Sequence, residues 1–288
     1  GINKVITVGY SMAGPISLHV AHRHPDLVEG MVKGMAGLES FDMQRQRLNA
    51  TLAAERAGMT RAAARRHLLT LSHLGYLETD GRYFWLSAKV LRFSGSFLAS
   101  SRLPRAVQPM LNRLAAQTGD SFSVAVLDGS EVVIIGRSGH GLGRALPGAV
   151  RGGAADQAYG LHLGARLPAH ATSTGRILLA NLPAAQFKAW LQGRLIDGRL
   201  PRLTPHTLSD ARLFRQAVAR AGREDFALAS QEHELGVHAL AVPLRDAQGR
   251  TVAALNVVST AQRLTPALVQ REWLPLLFDA AAQLRAAL

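Results

Sequence analysis

This 288-residue chain predicts an α+β fold in two domains. Three observations carry that reading. A helix, a glycine, a second helix and a hairpin follow one another over 50–86. An interrupted apolar stripe over 86–104 reads as a helix. After residue 105, amphipathic helices mix with strand hairpins, the pattern of an α+β domain. The length allows two separate cores.

The first segment is the most specific. A helix of small and apolar residues beginning near Ala50 stops at Gly58, where a left-handed backbone is tolerated. Thr60 offers a hydroxyl to cap the next helix. On that helix Ala64, Leu68 and Leu71 fall at i, i+4 and i+7 and form a buried stripe. Arg65 and Arg66 lie away from it with Ala62 beside them, Arg61 is near the helix N-terminus, and Gly75 ends the helix. Asp80-Gly81 is a tight-turn pair between Tyr76-Leu77 and Tyr83–Leu86, so a short hairpin follows, with Arg82 at its tip. Residues 31–47 supply a preceding helix, with Leu38 and Phe41 as core contacts.

A helix buried on one side and carrying arginines and small residues on the other fits the major groove of double-stranded DNA. Thr60, Arg61, Ala62, Arg65, Arg66 and Arg82 are the candidate DNA-binding residues. Charge agrees: the chain carries +13, and residues 31–105 hold twelve Lys and Arg against five Asp and Glu. Phosphate neutralisation calls for that concentration. The same residues also suit a plain helical hairpin with solvated arginines.

This segment resembles the winged helix–turn–helix of IclR-type bacterial transcription regulators. Three later stretches resemble the effector domain of the same family: Leu167–Ala180, Glu232–Val237 and Ala241–Asp246. The resemblance covers roughly 31–288. It implies an N-terminal winged helix–turn–helix over 31–86, a linker helix over 87–104 and a GAF-like effector-binding domain over 105–288. It also implies a homodimer or tetramer that controls a catabolic operon in response to a small metabolite. The Tyr159–Ala180 stretch and the helix Thr60–Arg66 most resemble regulators of the protocatechuate, para-hydroxybenzoate and β-ketoadipate pathways.

The residues of the second domain give an independent reading. Ala106–Gln117 is an amphipathic helix. Ser121–Leu127 and Glu131–Ile135 flank Asp128-Gly129 as a hairpin, and residues 138–158 read as a glycine-rich loop. Helices follow at Arg176–Asn181, Pro183–Leu191 and Leu208–Gly222. A strand at Phe226–Gln231, a hairpin of Ala239–Leu244 with Thr251–Val258, and a helix at Glu272–Leu288 close the chain.

Thr172, Ser173, Thr174 and Gly175 precede a helix whose first N–H groups have no intrahelical partner, which suits a carboxylate. The same residues also suit simple capping of a structural helix. The family's pocket, carried across by resemblance, adds Ala239, Asn256 and Val258. Arg137 and Arg166 are alternatives for pairing the ligand's charge, and either also suits a solvated surface. Glu232 and Glu234, one residue apart in an expected strand, face one side and read as solvent or interface groups. His162, His170, His233 and His238 lack the spacing of a metal helix.

Several classes are disfavoured. There are no cysteines, so disulfides and thiolate metal sites are absent. No metal, cofactor or membrane span is expected, and the expected location is the cytoplasm. The alternative function comes from residues 1–30. There Val5–Val8 reads as a strand, Gly9–Gly14 as a sharp turn and Pro15–His24 as a helix. This resembles the nucleophile elbow of α/β-hydrolases, with Ser11 as the nucleophile of a serine esterase-like enzyme. The acid and the oxyanion donor are missing, and His19, His22 and His24 are too close in sequence to serve. Residues 1–30 are therefore expected to be a remnant or extension, and the chain is expected not to be an enzyme.

Overall fold

The computed structural model describes residues 25–42, 45–138 and 162–288, in two compact units that divide between Ala99 and Ser100. The elbow around Ser11 lies outside the described residues, as does almost all of the loop at 138–158.

The first unit holds α1 (Pro25–Glu39), α2 (Ala50–Arg56), α3 (Arg61–His73) and a hairpin of β1 (Leu77–Thr79) with β2 (Phe84–Leu86). Each boundary has a local cause. Asn49 Oδ1 accepts from the N–H groups of Thr51 and Leu52 and so caps α2. Gly58 turns the chain at φ +61°. The hairpin bends at Asp80-Gly81, with Gly81 at φ +92° and Asp80 accepting from the Arg82 and Tyr83 N–H groups. Phe41, Leu48, Leu68, Leu71, Leu77 and Phe84 form the core. Leu48 and Phe84 exchange backbone hydrogen bonds of 2.9 and 2.8 Å, which adds a third short strand segment to the wing.

Two boundaries differ from expectation. The first helix was expected over 31–47. It begins at Pro25 and ends at Glu39, where Ser40 Oγ donates back to the Ala36 carbonyl. The stretch expected as one linker helix over 87–104 is a 3₁₀ turn at Ala88–Val90, then α4 (Leu91–Ser100), then a break at the extended residue Ser101. Pro104 lies in the first turn of the next helix, α5 (Arg102–Thr118), where a missing N–H is tolerated.

The second unit is built on a six-stranded antiparallel sheet: β3 (Ser121–Asp128), β4 (Glu131–Arg137), β5 (Arg166–Pro168), β6 (Ala227–Ser230), β7 (His238–Arg245) and β8 (Thr251–Ser259). The strand order is β5-β4-β3-β8-β7-β6. After β5 come a 3₁₀ turn (Ala169–Ala171), α6 (Ser173–Ala180), α7 (Ala184–Gln192) and α8 (Ala211–Glu224). After β8 a helical segment over 266–273 leads into α9 (Leu274–Leu284).

Alternation along the strands separates two cores. Phe122, Val124, Leu255 and Val257 pack against α5 and α9 on one face. Ala125, Ile134, Ala241 and Ala254 pack against α6, α7 and α8 on the other. The small residues on this second face let α6 lie close to the sheet, and every residue from Ser173 to Leu179 is buried. Among the described residues no helix is long and apolar enough to cross a membrane.

Candidate functional site

In the first unit, α3 and the wing present a cationic surface. Thr60 Oγ1 accepts from the Ala63 N–H at 3.2 Å, so its side chain fixes the start of α3. Ala64, Leu68 and Leu71 are buried, while Arg61, Ala62, Arg65 and Arg66 are exposed. At ~100° per residue, Arg66 sits about 160° from the buried stripe and Arg65 about 90° from it. Arg66 also borders a groove between α1 and α3. Arg82 is exposed on the wing, with its guanidinium 5.4 Å from the Tyr83 ring centroid.

Sequence reasoning missed Arg47. Its guanidinium lies 4.4 Å from the centroid of Trp85 and 2.7 Å from Asp80, which places it against the wing. Hydrogen bonds from the Tyr83 and Arg82 N–H groups hold the Asp80 carboxyl below its usual pKa, so it stays charged beside Arg47. Arg47 precedes α2 in an irregular stretch, where no periodicity marks it.

In the second unit, Thr172, Ser173, Thr174, Ala239, Asn256 and Val258 line one cavity of about 50 Å³. The sheet register explains the far wall. Ala239 pairs with Val258 and Ala241 with Asn256, so Ala239, Asn256 and Val258 belong to adjoining rows of the face that α6 covers. Ser123 pairs with Asn256, and its hydroxyl donates to Asn256 Oδ1. Thr172 Oγ1 accepts from the Gly175 N–H at 3.0 Å and caps α6. Ser173 Oγ is 1% exposed and has no hydrogen-bond partner among the described residues.

Gly175 does not line the cavity. A Cβ there would lie 2.0 Å from the Ala169 carbonyl oxygen, so glycine is required by the close approach of the 3₁₀ turn.

Neither arginine proposed for the ligand's charge lines the cavity. Arg166 is committed to Glu131 and Asp128, each at 2.7 Å. Arg137 is half-buried, and burial lowers its pKa. The buried cation nearby in the network is Arg176 on α6, which pairs with Glu232 and donates to the Leu228 carbonyl.

Glu232 and Glu234 also depart from expectation. They are in the connection between β6 and β7, not in a strand, because Gln231 at φ +57° and Gly236 at φ +79° turn the chain there. Both line the cavity, with His233 between them. The Thr204 and Thr207 hydroxyls hold the Gln231 and Glu232 carbonyls at 2.6 Å. Burial lowers the pKa of His233, and that of His170 behind it, so both favour the neutral form.

Chemically this cavity offers hydroxyl, amide, carboxylate and imidazole groups beside apolar side chains, a lining that can bind a small polar molecule. Ser173 Oγ makes no hydrogen bond to any described residue, so it can act as donor or acceptor toward a ligand. Among the described residues no group of His, Asp or Glu is arranged to hold a metal ion.

A winged helix–turn–helix on one chain with a cavity-bearing α+β domain defines the class of one-component, ligand-responsive transcription regulators. Comparison with known proteins narrows the class. Residues 31–81 match the IclR helix-turn-helix domain, and residues 151–286 match the bacterial transcriptional regulator IclR C-terminal domain. The chain is 49% identical over 265 residues to the Pca operon regulatory protein of Acinetobacter baylyi, covering 91% of this chain and 90% of that protein. It is 45% identical to the p-hydroxybenzoate hydroxylase transcriptional activator of the same organism, covering 93% and 97%. Among solved structures, it is similar to a double mutant of the PobR inducer-binding domain from Acinetobacter in complex with 3-hydroxybenzoic acid. That match has a TM-score of 0.54 and 41% identity, and it covers 64% of this chain and 98% of that one. The chain belongs to the IclR family of transcription regulators. Like these relatives, it is a transcription regulator and not an enzyme.

Proposed function

We propose that this regulator controls an operon for the breakdown of an aromatic acid and responds to a small aromatic carboxylate bound at the N-terminus of α6. The observation that carries the reading is Ser173 Oγ, buried and without a partner among the described residues, in a cavity at a helix N-terminus. A buried hydroxyl without a partner is unfavourable until an acceptor or donor arrives, and the helix N-terminus favours an anion. The relatives that regulate p-hydroxybenzoate hydroxylase and bind 3-hydroxybenzoic acid support the same class of effector. Thr172, Thr174, Ala239, Asn256 and Val258 complete the wall, and Gly175 holds the helix against Ala169.

An apolar cavity of roughly 150 Å³ holds benzene, so this one, at about 50 Å³, must widen to admit a ring. The widened and closed forms bind effector differently, which is what couples ligand to DNA.

DNA contact is assigned to residues 31–86. Arg65 and Arg66 reach base edges or phosphates, and Thr60, Arg61, Ala62 and Arg82 contact the flanking backbone and groove. A homodimer or tetramer in the cytoplasm fits this role, because one module reads only a short half-site. Met31 and Met35 on α1 and Leu91 on α4 are large exposed apolar side chains that an assembly surface would cover. Residues 87–104 connect the DNA-binding part to the effector-binding part.

Titration calorimetry with 4-hydroxybenzoate, protocatechuate and β-ketoadipate tests the effector. One of them is expected to bind well below millimolar, and Ser173→Ala with Thr174→Val is expected to weaken it while operator binding persists in a gel shift. If none binds tighter than about millimolar, worth roughly 4 kcal/mol, the pathway is wrong.

A further inference from the structure

We propose that the second unit carries a second binding site, for a small carboxylate with an apolar body, at the open β6 edge of its sheet. A cavity of about 400 Å³ lies there, within the size range of small-molecule sites. α8 contributes Ala217 on one face of the sheet, Phe226 leads into β6, and Pro266 and Val269 come from the helical segment on the other face.

The charge comes from Arg176, which lines this cavity with a side chain only 7% exposed. One terminal nitrogen donates to the Leu228 carbonyl at 2.8 Å, and the other pairs with Glu232. Its Nε has no hydrogen-bond partner among the described residues. Arg220 stands at the exposed rim, paired with Glu224. A buried guanidinium with an unspent donor beside an apolar hollow is a recognition element for a carboxylate, whose two oxygens match the planar fork.

Arg176 follows Ser173 and Thr174 on α6, and its partner Glu232 lines the smaller cavity. An anion on Arg176 competes with Glu232 for the guanidinium, so one ion pair links the two cavities. Filling either changes the affinity of the other, and the effect is reciprocal. This coupling rests on the proposed effector pocket; the β6-edge site does not.

Titration calorimetry of the full chain with sodium benzoate tests the site. Two benzoates per chain are expected. Ala217→Trp fills the edge cavity and is expected to leave one, and Ser173→Ala with Thr174→Val is expected to leave the edge site occupied. Arg220→Glu, exposed on α8, is expected to weaken the edge site about threefold or more, and it decides the matter if Ala217→Trp does not fold. One benzoate per chain, indifferent to both Ala217→Trp and Arg220→Glu, overturns the edge site and leaves the effector pocket standing. One benzoate that is lost in Ala217→Trp and kept in the Ser173/Thr174 variant supports the edge site and removes the effector reading instead.

Discussion

Two helices of this protein open in the same way and end up in opposite surroundings. α3 and α6 each begin with a threonine whose hydroxyl accepts from the third helical N–H, at 3.2 Å for Thr60 and 3.0 Å for Thr172. On α3 the next residues are solvated, and the outer face is free for a partner as large as DNA. On α6 they are buried against the sheet, so the same polar start lines a small cavity. One capping device thus begins an exposed helix face in one unit and a buried, cavity-lining one in the other. Burial decides which.

The sharpest test of that contrast is the third helical residue. Gly175→Ala would drive a Cβ into the Ala169 carbonyl and is expected to cost about 3 kcal/mol or more in urea denaturation of the second unit. The reciprocal change on the open helix, Ala63→Gly, is expected to cost only about 0.5–1 kcal/mol, the intrinsic helix penalty. Equal costs would mean that α6 is not pressed against the 3₁₀ turn.

The next effect concerns the open helix alone. Arg66→Ala is expected to weaken operator binding about tenfold, from a loss of roughly 1–3 kcal/mol, with the thermal transition unchanged. Binding that survives both Arg66→Ala and Arg65→Ala would remove α3 from the DNA interface.

The smallest effect is one of pH. His170 and His233 have lowered pKa values, mainly through burial, so they bind protons less readily in the folded state than in the unfolded one. Their contribution is complete above about pH 6.5 and is lost as the pH falls through the folded values. His67, on α3, shifts the same way through partial burial, Arg66 and Lys33. The melting temperature is therefore expected to drop between pH 7.5 and pH 5.5, more for the second unit than for the first. A second-unit transition that does not move over that range would contradict the buried, neutral histidines.

Much of the chain was legible wherever a local signal suffices. The stripe of Ala64, Leu68 and Leu71, the Thr60 cap, Gly58 and the Asp80-Gly81 turn all depend on residues within a few positions of each other, and the structure has each in place. The hairpins at Asp128-Gly129 and at 246–249 were readable for the same reason. The three-residue strand β5 was not read, because it is too short to show alternation and exists through its pairing with β4. Arg47 stacks on a residue 38 positions away, which no spacing rule reveals. Glu232 was misplaced because its partner Arg176 lies far back along the chain, and two positive-φ residues convert an apparent strand into a turn.

The sequence by itself determined the helix–turn–helix, the wing, the basic face and the polar start of α6. These follow from propensity, capping and periodicity, which act over one or two turns of chain. Only the tertiary structure decided that Ser173 Oγ has no partner among the described residues, that Gly175 must be glycine, and that Arg176 is buried in an ion pair with Glu232. Those outcomes depend on which surfaces pack together. Desolvation and steric contact belong to atoms brought close by the whole fold, not to any stretch of the chain read alone.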